Sequence, residues 1–168
     1  MILPDSLAPN LKLVFCGTAA SVISAQEASY YANPTNYFWR TLYQIGLTPR
    51  QFRPQEFPKL LEYGIGLTDV AKGAVGNDSD LNSRDFDAKA LYEKILQYQP
   101  KMLAFTSKKA ASVFFETSTT KIYYGLQENT VGVTKFWVLT SPSGSARRYW
   151  DVTVWEALAE SVGKMPDS

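Results

Sequence analysis

The sequence of 168 residues predicts an α/β fold: a three-layer sandwich with a central, mainly parallel sheet of four to five strands flanked by helices. Two observations predict this architecture. Short apolar runs alternate along the chain with segments of helical spacing, an order typical of parallel sheets that are covered on both faces. The composition, 45% hydrophobic and 20% charged, suits one globular domain spanning residues 1–168, and we find no internal repeat or linker that would divide it.

The first half of the chain predicts two strands and two helices. Apolar runs indicate the strands, since a short apolar run bounded by turn residues is typical of a strand buried on both faces. Apolar residues at helical spacing indicate the helices, each followed by a glycine, Gly46 or Gly64, that ends it. In chain order, the predicted elements are a strand at 11–16, helices at 36–45 and 54–63, and a strand at 65–68.

The second half continues the alternation after a loop predicted at 71–84, a stretch rich in Gly, Asn, Asp and Ser. Pro100 marks the end of one helix, and Ser107 is placed to cap the start of the next. Residues 117–133 are ambiguous and are predicted to contain strand and turn. The remaining predicted elements are a helix at 85–98, a strand at 102–105, a helix at 108–115, a strand at 135–139, a loop at 140–148 and a helix at 150–162.

Missing residue types exclude several classes of chemistry. The chain contains no histidine, so a Ser-His-Asp triad and a histidine-ligated metal are excluded. Its single cysteine, Cys16, cannot form an intrachain disulfide or a four-thiolate cluster. No apolar run approaches the roughly 20 residues that span a bilayer, and no cleavable signal pattern is evident. We therefore expect a cytoplasmic protein without metal, cofactor or membrane association.

Charge is balanced overall but uneven along the chain, with 17 Lys and Arg against 16 Asp and Glu. Residues 101–148 carry seven basic and two acidic side chains, whereas residues 69–93 carry six acidic and three basic ones. A basic face on a neutral protein fits a partner touched on one side, such as a phosphate backbone. Scattered solvated charge fits the same counts.

Four predicted strands end in segments that could carry chemistry. In open parallel sheets, ligands bind at the carboxyl ends of the strands. The segments that follow those ends are 17–21, the residues from Asp69 onward, 107–109 and 141–148. Together they would surround one cleft with small residues, a carboxylate, two lysines at a helix start, and a Ser/Gly loop with two arginines. This combination indicates a carboxylate for chemistry and cations for a polyanion.

Short stretches spread between residues 7 and 158 match one protein family in residue type and spacing. They are Leu7-Ala-Pro-Asn-Leu-Lys-Leu-Val-Phe-Cys-Gly17, Asn33-Pro34, Asn36, Phe38-Trp39, Tyr43-Gln-Ile-Gly46, Pro54-Gln-Glu56, Leu60-Leu61, Gly64-Ile-Gly-Leu-Thr68, Trp137-Val-Leu139 and Ser141-Pro-Ser-Gly144. On these residues the chain resembles the mismatch-specific uracil-DNA glycosylases, relatives of thymine-DNA glycosylase within the uracil-DNA glycosylase superfamily. The last stretch is similar to the family's second motif, Asn-Pro-Ser-Gly-Leu.

The resemblance implies a uracil-DNA glycosylase-like fold and a monofunctional DNA glycosylase. Such an enzyme flips uracil, and related damaged bases, out of DNA and hydrolyses the N-glycosidic bond, which initiates base excision repair. The implied partner is DNA containing uracil or mismatched bases, contacted on one face by a monomer. Two alternatives stay open: a family member that binds lesions or abasic sites without excision, and an unrelated nucleotide- or small-molecule-binding domain. The second has little support, since no Gly-x-Gly-x-x-Gly or Walker loop is present.

One departure from the family pattern changes the expected mechanism. The family's first motif reads Gly-Ile-Asn-Pro-Gly, whose Asn positions the attacking water, but residues 17–21 place Ala19 there. A methyl group cannot orient water, so another group must. Asp69 is the first candidate, where the best-known members have lysine, because a carboxylate near the sugar can accept a proton from water and stabilise a cationic sugar. A turn or helix cap is the alternative for Asp69, and Glu27, in a loop expected after the first motif, is the second catalytic candidate.

The resemblance also assigns a base pocket and a DNA-binding set. It implies that Tyr31 stacks on the extruded base, with Tyr30 or a core role as alternatives, and that Ser24 borders the position of a thymine methyl group. The pocket residues are Gly17, Thr18, Ala19, Ala20, Ser24, Tyr31 and Ser141, of which Thr18, Ala19 and Ala20 offer backbone groups to the base. The DNA-binding residues are Lys108, Lys109, Ser143, Gly144, Ser145, Ala146, Arg147 and Arg148. Relatives carry a leucine wedge where this chain has small residues, so one of the two arginines is expected to fill the gap.

Overall fold

A computed structural model describes residues 3–73, 75–76 and 87–164 of the chain. It contains a five-stranded sheet with the strand order β2-β1-β3-β5-β4. The pairs β1–β2, β1–β3 and β3–β5 are parallel, whereas β4 pairs with β5 in antiparallel orientation. The strands are β1 (Leu13–Gly17), β2 (Ile65–Asp69), β3 (Met102–Phe105), β4 (Gly125–Val131) and β5 (Thr134–Val138). The predicted, mainly parallel sheet is confirmed.

Helices pack on both faces of this sheet, which gives the predicted three layers. Along β1, Leu13 and Phe15 belong to one buried cluster, and Val14 and Cys16 belong to the other, because successive side chains of a strand point to opposite faces. The helices are α1 (Val22–Glu27), α2 (Phe38–Gln44), α3 (Ala88–Tyr98), α4 (Lys108–Phe115) and α5 (Thr153–Gly163). Residues of α2 and α5 fill the first cluster, and residues of α3 and α4 fill the second.

Two helices differ from the sequence-based expectation. Helix α1 was not predicted, because it has six residues and lies in a polar stretch; the Ser21 side chain caps its start by accepting from the Ser24 N–H at 3.1 Å. Pro54–Tyr63 is a 3₁₀ helix rather than an α-helix. Its internal Pro58 lacks the N–H that an α-helical bond requires, and its ring disfavours an α-helical turn before it.

The C-terminal part also differs in its boundaries. Residues 144–149, expected in a loop and at the start of the last helix, form the 3₁₀ helix Gly144–Tyr149, and α5 starts at Thr153 instead of residue 150. A further short 3₁₀ helix, Thr119–Lys121, precedes β4. Most of the loop predicted at 71–84 and the first two residues of the helix predicted at 85–98 lie outside the described residues. Among the residues described, no helix is both long and apolar enough to cross a membrane.

The strand register gathers four chain segments at one edge of the sheet. Gly17 pairs with Asp69 across β1 and β2, Cys16 with Phe105, and Phe105 with Val138. All these positions are at the carboxyl ends of parallel strands. The loops that leave this edge therefore meet above it, as open parallel sheets require.

Candidate active site

A cavity of about 380 Å³ opens at the carboxyl edge of the sheet. The four segments predicted to surround a cleft all contribute to its wall, together with residues between 30 and 36. The structure places around it every residue of the predicted base pocket: Gly17, Thr18, Ala19, Ala20, Ser24, Tyr31 and Ser141. Of the predicted DNA-binding set, four residues line it: Ser143, Gly144, Ser145 and Ala146. The other four, outside the cavity wall, are Lys108, Lys109, Arg147 and Arg148.

Asp69 places a carboxylate in the wall of this cavity. It is the last residue of β2 and is 6% exposed. A Cβ atom added to Gly17, its partner on β1, would lie 2.7 Å from Asp69 Oδ1 and 3.2 Å from the Tyr31 hydroxyl. Those distances leave no room for a side chain, so a glycine at position 17 lets the carboxylate lie directly against β1.

Burial raises the pKa of the Asp69 carboxyl above its usual value, although the charge and hydrogen bond of Lys72 act in the opposite direction. Removing a carboxylate from water disfavours its ionised form, while a nearby ammonium group favours it. A carboxylate with a raised pKa is a stronger base. It is therefore better suited to accepting a proton near neutral pH than an ordinary surface aspartate.

Lys72 connects Asp69 to the N-terminal segment. Its Nζ lies 3.3 Å from Asp69 Oδ2 and 3.1 Å from Asp5 Oδ1. The same ammonium group donates to the Tyr30 hydroxyl at 2.6 Å and to the Leu3 carbonyl at 2.8 Å. Four oxygen atoms thus surround an ammonium group whose side chain is 13% exposed. This arrangement satisfies a largely buried charge.

Asp5 shares a second lysine. Lys94 Nζ lies 2.7 Å from Asp5 Oδ2, and the Thr68 hydroxyl donates to Asp5 Oδ1 at 2.6 Å. Burial raises the pKa of Asp5, but the hydrogen bonds from Lys94 and Thr68 and the charges of both lysines outweigh it, so the pKa lies below its usual value. We name Asp5, Asp69, Lys72 and Lys94 the charge cluster. The two negative and two positive charges of this cluster cancel. The Asp69 carboxylate, which lines the cavity, lies next to the Lys72 ammonium group.

Tyr31 lines the cavity with its hydroxyl close to Gly17 of β1 and with one ring face covered. Its ring stacks on Phe38 with centroids 3.9 Å apart and an interplanar angle of 18°, and its hydroxyl is hydrogen-bonded to Thr106 Oγ1 at 3.2 Å. The backbone of Tyr31 has φ +53°, in the left-handed region that bulky residues rarely adopt. The surrounding contacts thus hold this ring in place at the cavity.

Tyr30, the alternative stacking residue, belongs to the core. It is 2% exposed, donates its hydroxyl to the Pro4 carbonyl at 2.9 Å, and packs edge-on against Phe57. Although part of it reaches the cavity wall, its ring is held by these contacts and by Lys72. This placement favours Tyr31 over Tyr30 as the aromatic residue for a base.

The loop of residues 17–21 is fixed by hydrogen bonds to the chain after β2. The carbonyl groups of Thr18 and Ala20 accept from the N–H groups of Ala71 and Gly76 at 2.7 and 3.0 Å. The Thr18 hydroxyl is bonded to Ser107 Oγ at 3.2 Å, which connects this loop to the end of β3. These carbonyl groups are thus already used within the protein. That backbone groups of Thr18, Ala19 and Ala20 contact a base stays a prediction.

The loop at 141–146 packs against the loop before α2. A Cβ on Gly144 would overlap the Thr35 side chain, and the Tyr37 N–H donates to the Pro142 carbonyl at 2.8 Å. Glycine at 144 thus allows the two loops to touch. The contact brings to the cavity two asparagines that sequence reasoning gave no role, Asn33 and Asn36. The only sequence signal for them was their place in the family spacing.

The family model of the uracil DNA glycosylase superfamily matches residues 4–159. The chain belongs to the uracil DNA glycosylase superfamily. Among solved structures, it is similar to the solution NMR structure of a protein from Methanosarcina acetivorans described as a candidate uracil DNA glycosylase. The TM-score is 0.62, with 21% identity and 96% of each chain covered. The uracil-DNA glycosylase-like fold is thereby confirmed.

One expectation about a catalytic group needs correction, and one group of residues at the site was not predicted. Glu27 is not in a loop but ends α1, where it is exposed and accepts from Gln55 Nε2 at 3.1 Å. It is not among the residues that line the cavity. The charge cluster was not predicted from the sequence, because the segment after Asp69 has no periodic pattern. Its one sequence signal is the three-residue spacing of the two side chains.

Ser24 holds two segments of the fold together. Its Oγ accepts from the Ala32 N–H at 3.0 Å and from Ser21 Oγ at 3.1 Å, and the residue is 3% exposed. These bonds hold the segment before α2 against α1. They also fix the position of the side chain that lines the cavity. Over the described residues, there is no cluster of three or more Cys, Asp or Glu that could hold a metal ion.

Proposed function

We propose that this superfamily member is a monofunctional DNA glycosylase of the mismatch-specific branch, which flips uracil out of DNA and hydrolyses its N-glycosidic bond. The observation that carries the proposal is the buried Asp69 carboxylate in the wall of the cavity. Family membership supports a DNA glycosylase, and the carboxylate supplies the polar group that Ala19 lacks. The enzyme would act as a monomer that touches DNA with one face and starts base excision repair in the cytoplasm.

Asp69 is the proposed catalytic base. Its carboxylate accepts a proton from a water molecule as the water oxygen bonds to C1′ of the sugar. The bond between C1′ and the base nitrogen breaks, and its electron pair leaves with the uracil. The negative charge of Asp69 also stabilises the cationic sugar that develops before attack. This second effect depends on the sugar, which is common to all substrates.

No lysine is proposed as a nucleophile. Lys72 Nζ lies within 3.3 Å of the carboxylates of Asp5 and Asp69, and Lys72 is not among the cavity-lining residues. A Schiff base requires a neutral amine within reach of the sugar. The proposed enzyme therefore releases the base and leaves an intact abasic strand.

The proposed DNA contacts lie around the mouth of the cavity. Arg147 and Arg148 are exposed in the 3₁₀ helix Gly144–Tyr149, directly after two residues of the cavity wall. Lys108 and Lys109 begin α4, next to Ser107 of the wall. The helix dipole favours a phosphate at such a position. Base flipping costs a few kcal/mol, least for mismatched or damaged bases, which contributes selectivity.

A binding protein without excision is the second candidate. The observation that favours it is Ala19, whose methyl group lines the cavity where relatives position water. Incubation with uracil-containing DNA, followed by alkaline cleavage of abasic sites, separates the two. Strand scission supports the glycosylase, and binding without scission supports the binding protein. The absence of both scission and binding would contradict both candidates.

We expect excision of uracil opposite guanine, opposite adenine and in single strands. Small Ser145 and Ala146 replace the leucine wedge of relatives, which weakens the grip on the widowed partner base. Thymine should react about 10- to 200-fold more slowly, the range that one methyl group supplies in a close-fitting pocket, because Ser24 is fixed in the wall. Single-turnover rates on G·U, A·U, single-stranded U and G·T substrates test this. Strict confinement to G·U would contradict it.

Changing Arg147 and Arg148 together to alanine should weaken DNA binding and flatten its salt dependence. Each lost phosphate contact lowers the slope of log K against log salt by about one unit. The matched control is Arg53→Ala with Lys59→Ala, which removes two exposed cations at the 3₁₀ helix Pro54–Tyr63. Binding titrations at several salt concentrations provide the measurement. Unchanged slope and affinity in the first variant would show that this helix does not face DNA.

A further inference from the structure

We propose that an exposed surface of tyrosine rings and cations beside the cavity binds unstacked bases of a single DNA strand. We name it the tyrosine surface and define it by Tyr123, Tyr124, Tyr149, Lys108 and Arg148. The inference deepens the proposed function and rests on it for the identity of the ligand. It adds a binding site for the strand that flanks the extruded nucleotide.

The rings of this surface are open to solvent. Tyr123 is 78% exposed, Tyr149 67% and Tyr124 45%. Large aromatic side chains usually bury most of their area, so three exposed rings in one region indicate a binding surface. Tyr123 and Tyr124 precede β4, and Tyr149 ends the 3₁₀ helix Gly144–Tyr149.

A cationic side chain lies over each of two of these tyrosine rings. Lys108 Nζ lies 4.4 Å from the ring centroid of Tyr124, and the guanidinium carbon of Arg148 lies 5.4 Å from that of Tyr149. Tyr124 precedes Gly125, which pairs with Val138 at the carboxyl end of β5, and the chain after β5 leads to the 3₁₀ helix that ends at Tyr149. In agreement with this placement, burial raises the pKa of Tyr124, and Tyr149 adds to the effect. The surface is thus one region drawn from α4, the segment before β4 and the 3₁₀ helix.

This surface continues from the wall of the cavity. Ser107 lines the cavity and is followed by Lys108, and Ala146 lines it three residues before Tyr149. A strand whose nucleotide enters the cavity would therefore pass its neighbouring nucleotides close to the exposed rings. Two separate segments thus lead from the cavity wall to the tyrosine surface.

The combination of rings and cations matches a single strand better than a duplex. Aromatic side chains that stack on successive bases, with cations along the backbone, are the recurring pattern of single-strand binding. In a duplex the base faces are already stacked, so exposed tyrosine rings would gain little. A protein partner could use the tyrosines, but the paired cations favour a polyanion.

The test compares single-stranded and duplex DNA that contain no uracil, so that binding is read without excision. Stacking is worth about 1–3 kcal/mol per base, so Tyr124→Ala with Tyr149→Ala should lower single-strand affinity by at least about 10-fold. Duplex affinity should change by less than about threefold, since cations dominate it. Fluorescence anisotropy with labelled oligothymidine and a matched duplex measures both.

The matched control is Tyr63→Ala with Tyr92→Ala, which removes two rings of 43% and 45% exposure. Tyr63 precedes Gly64 and the start of β2, at the opposite edge of the sheet from the cavity. The control should leave both affinities unchanged. The conservative pair Tyr124→Phe with Tyr149→Phe keeps the rings and should restore single-strand binding.

Several outcomes would overturn the inference. Equal losses on single strands and duplex would assign the region to general phosphate binding. Unchanged single-strand affinity would exclude a role of the rings in binding the strand. Loss of self-association in sedimentation, without an effect on DNA binding, would assign the rings to a protein interface.

If the unmodified protein excises uracil but the alanine pair binds single strands normally, only this inference fails. If the alanine pair loses single-strand binding but the unmodified protein does not excise uracil, only the proposed enzyme fails.

Discussion

Asp69→Asn is expected to reduce the single-turnover rate of uracil excision by at least about 10²-fold, the usual effect of losing a general base. Asparagine has nearly the same shape as aspartate, so it fits against Gly17 where the carboxylate now lies. It cannot accept a proton from water or stabilise a cationic sugar by charge. DNA affinity should be retained, because Asp69 is 6% exposed and makes no contribution of positive charge. Rates with enzyme in excess over a G·U duplex measure the effect.

Glu27→Gln is the control for this substitution, because it removes a carboxylate from the same half of the chain but outside the cavity wall. Its rate should stay within about threefold of the unmodified protein. Thermal unfolding and binding to product DNA verify that the Asp69 variant is folded. A loss of less than about threefold in that variant would place the catalytic role in another residue.

Lys72→Met is expected to move the acidic limb of the rate profile to higher pH. Lys72 lowers the pKa of Asp69 against the larger effect of burial, so its removal raises that pKa further. The base form of Asp69 exists above its pKa; as pH falls through the new, higher value, activity is lost earlier. Each unit of increase costs a factor of about ten in ionised carboxylate below the pKa. We therefore expect at least about a tenfold loss at the acidic end and recovery at alkaline pH.

The other groups near Asp69 constrain how this result is interpreted. Asp5 raises the pKa of Asp69, and Lys94 lowers it. Burial and the charge of Asp69 raise the pKa of the Tyr31 hydroxyl, which lies before α2, and of the Cys16 thiol, which lies in β1. Lys72→Arg keeps the charge and should keep the profile close to that of the unmodified protein. A uniform loss at every pH, with the limb unmoved, would mean that Lys72 serves only folding.

The parts of this structure that were predictable from sequence are those with a local pattern. Apolar runs predicted the four strands of the parallel part, and the order of the loops after them predicted the residues around the cavity. The ambiguity at 117–133 had a physical cause. β4 is an edge strand with mostly exposed residues, so it lacks the apolar run of its neighbours.

The parts that were not predictable depend on contacts between distant residues. Between Asp5 and Lys72 the chain forms β1, α1, α2, the 3₁₀ helix Pro54–Tyr63 and β2. The two residues meet because Ser6 pairs with Leu67 of β2. No periodicity in either segment indicates this pairing. The left-handed backbone of Tyr31 is similar: its Phe38 and Thr106 contacts come from two other parts of the chain.

The attachment of the N-terminal segment to Lys72 has a practical consequence for how this protein is handled. Two of the four oxygen atoms around that ammonium group, the Leu3 carbonyl and Asp5 Oδ1, come from residues ahead of the first strand. A chain trimmed back to β1 in search of a minimal, better-behaved fragment would retain every strand of the sheet. It would nevertheless leave the ammonium group beside Asp69 with half of its oxygen partners. The segment before β1 thus helps to set the proton affinity of Asp69, because it holds the Lys72 ammonium group in place.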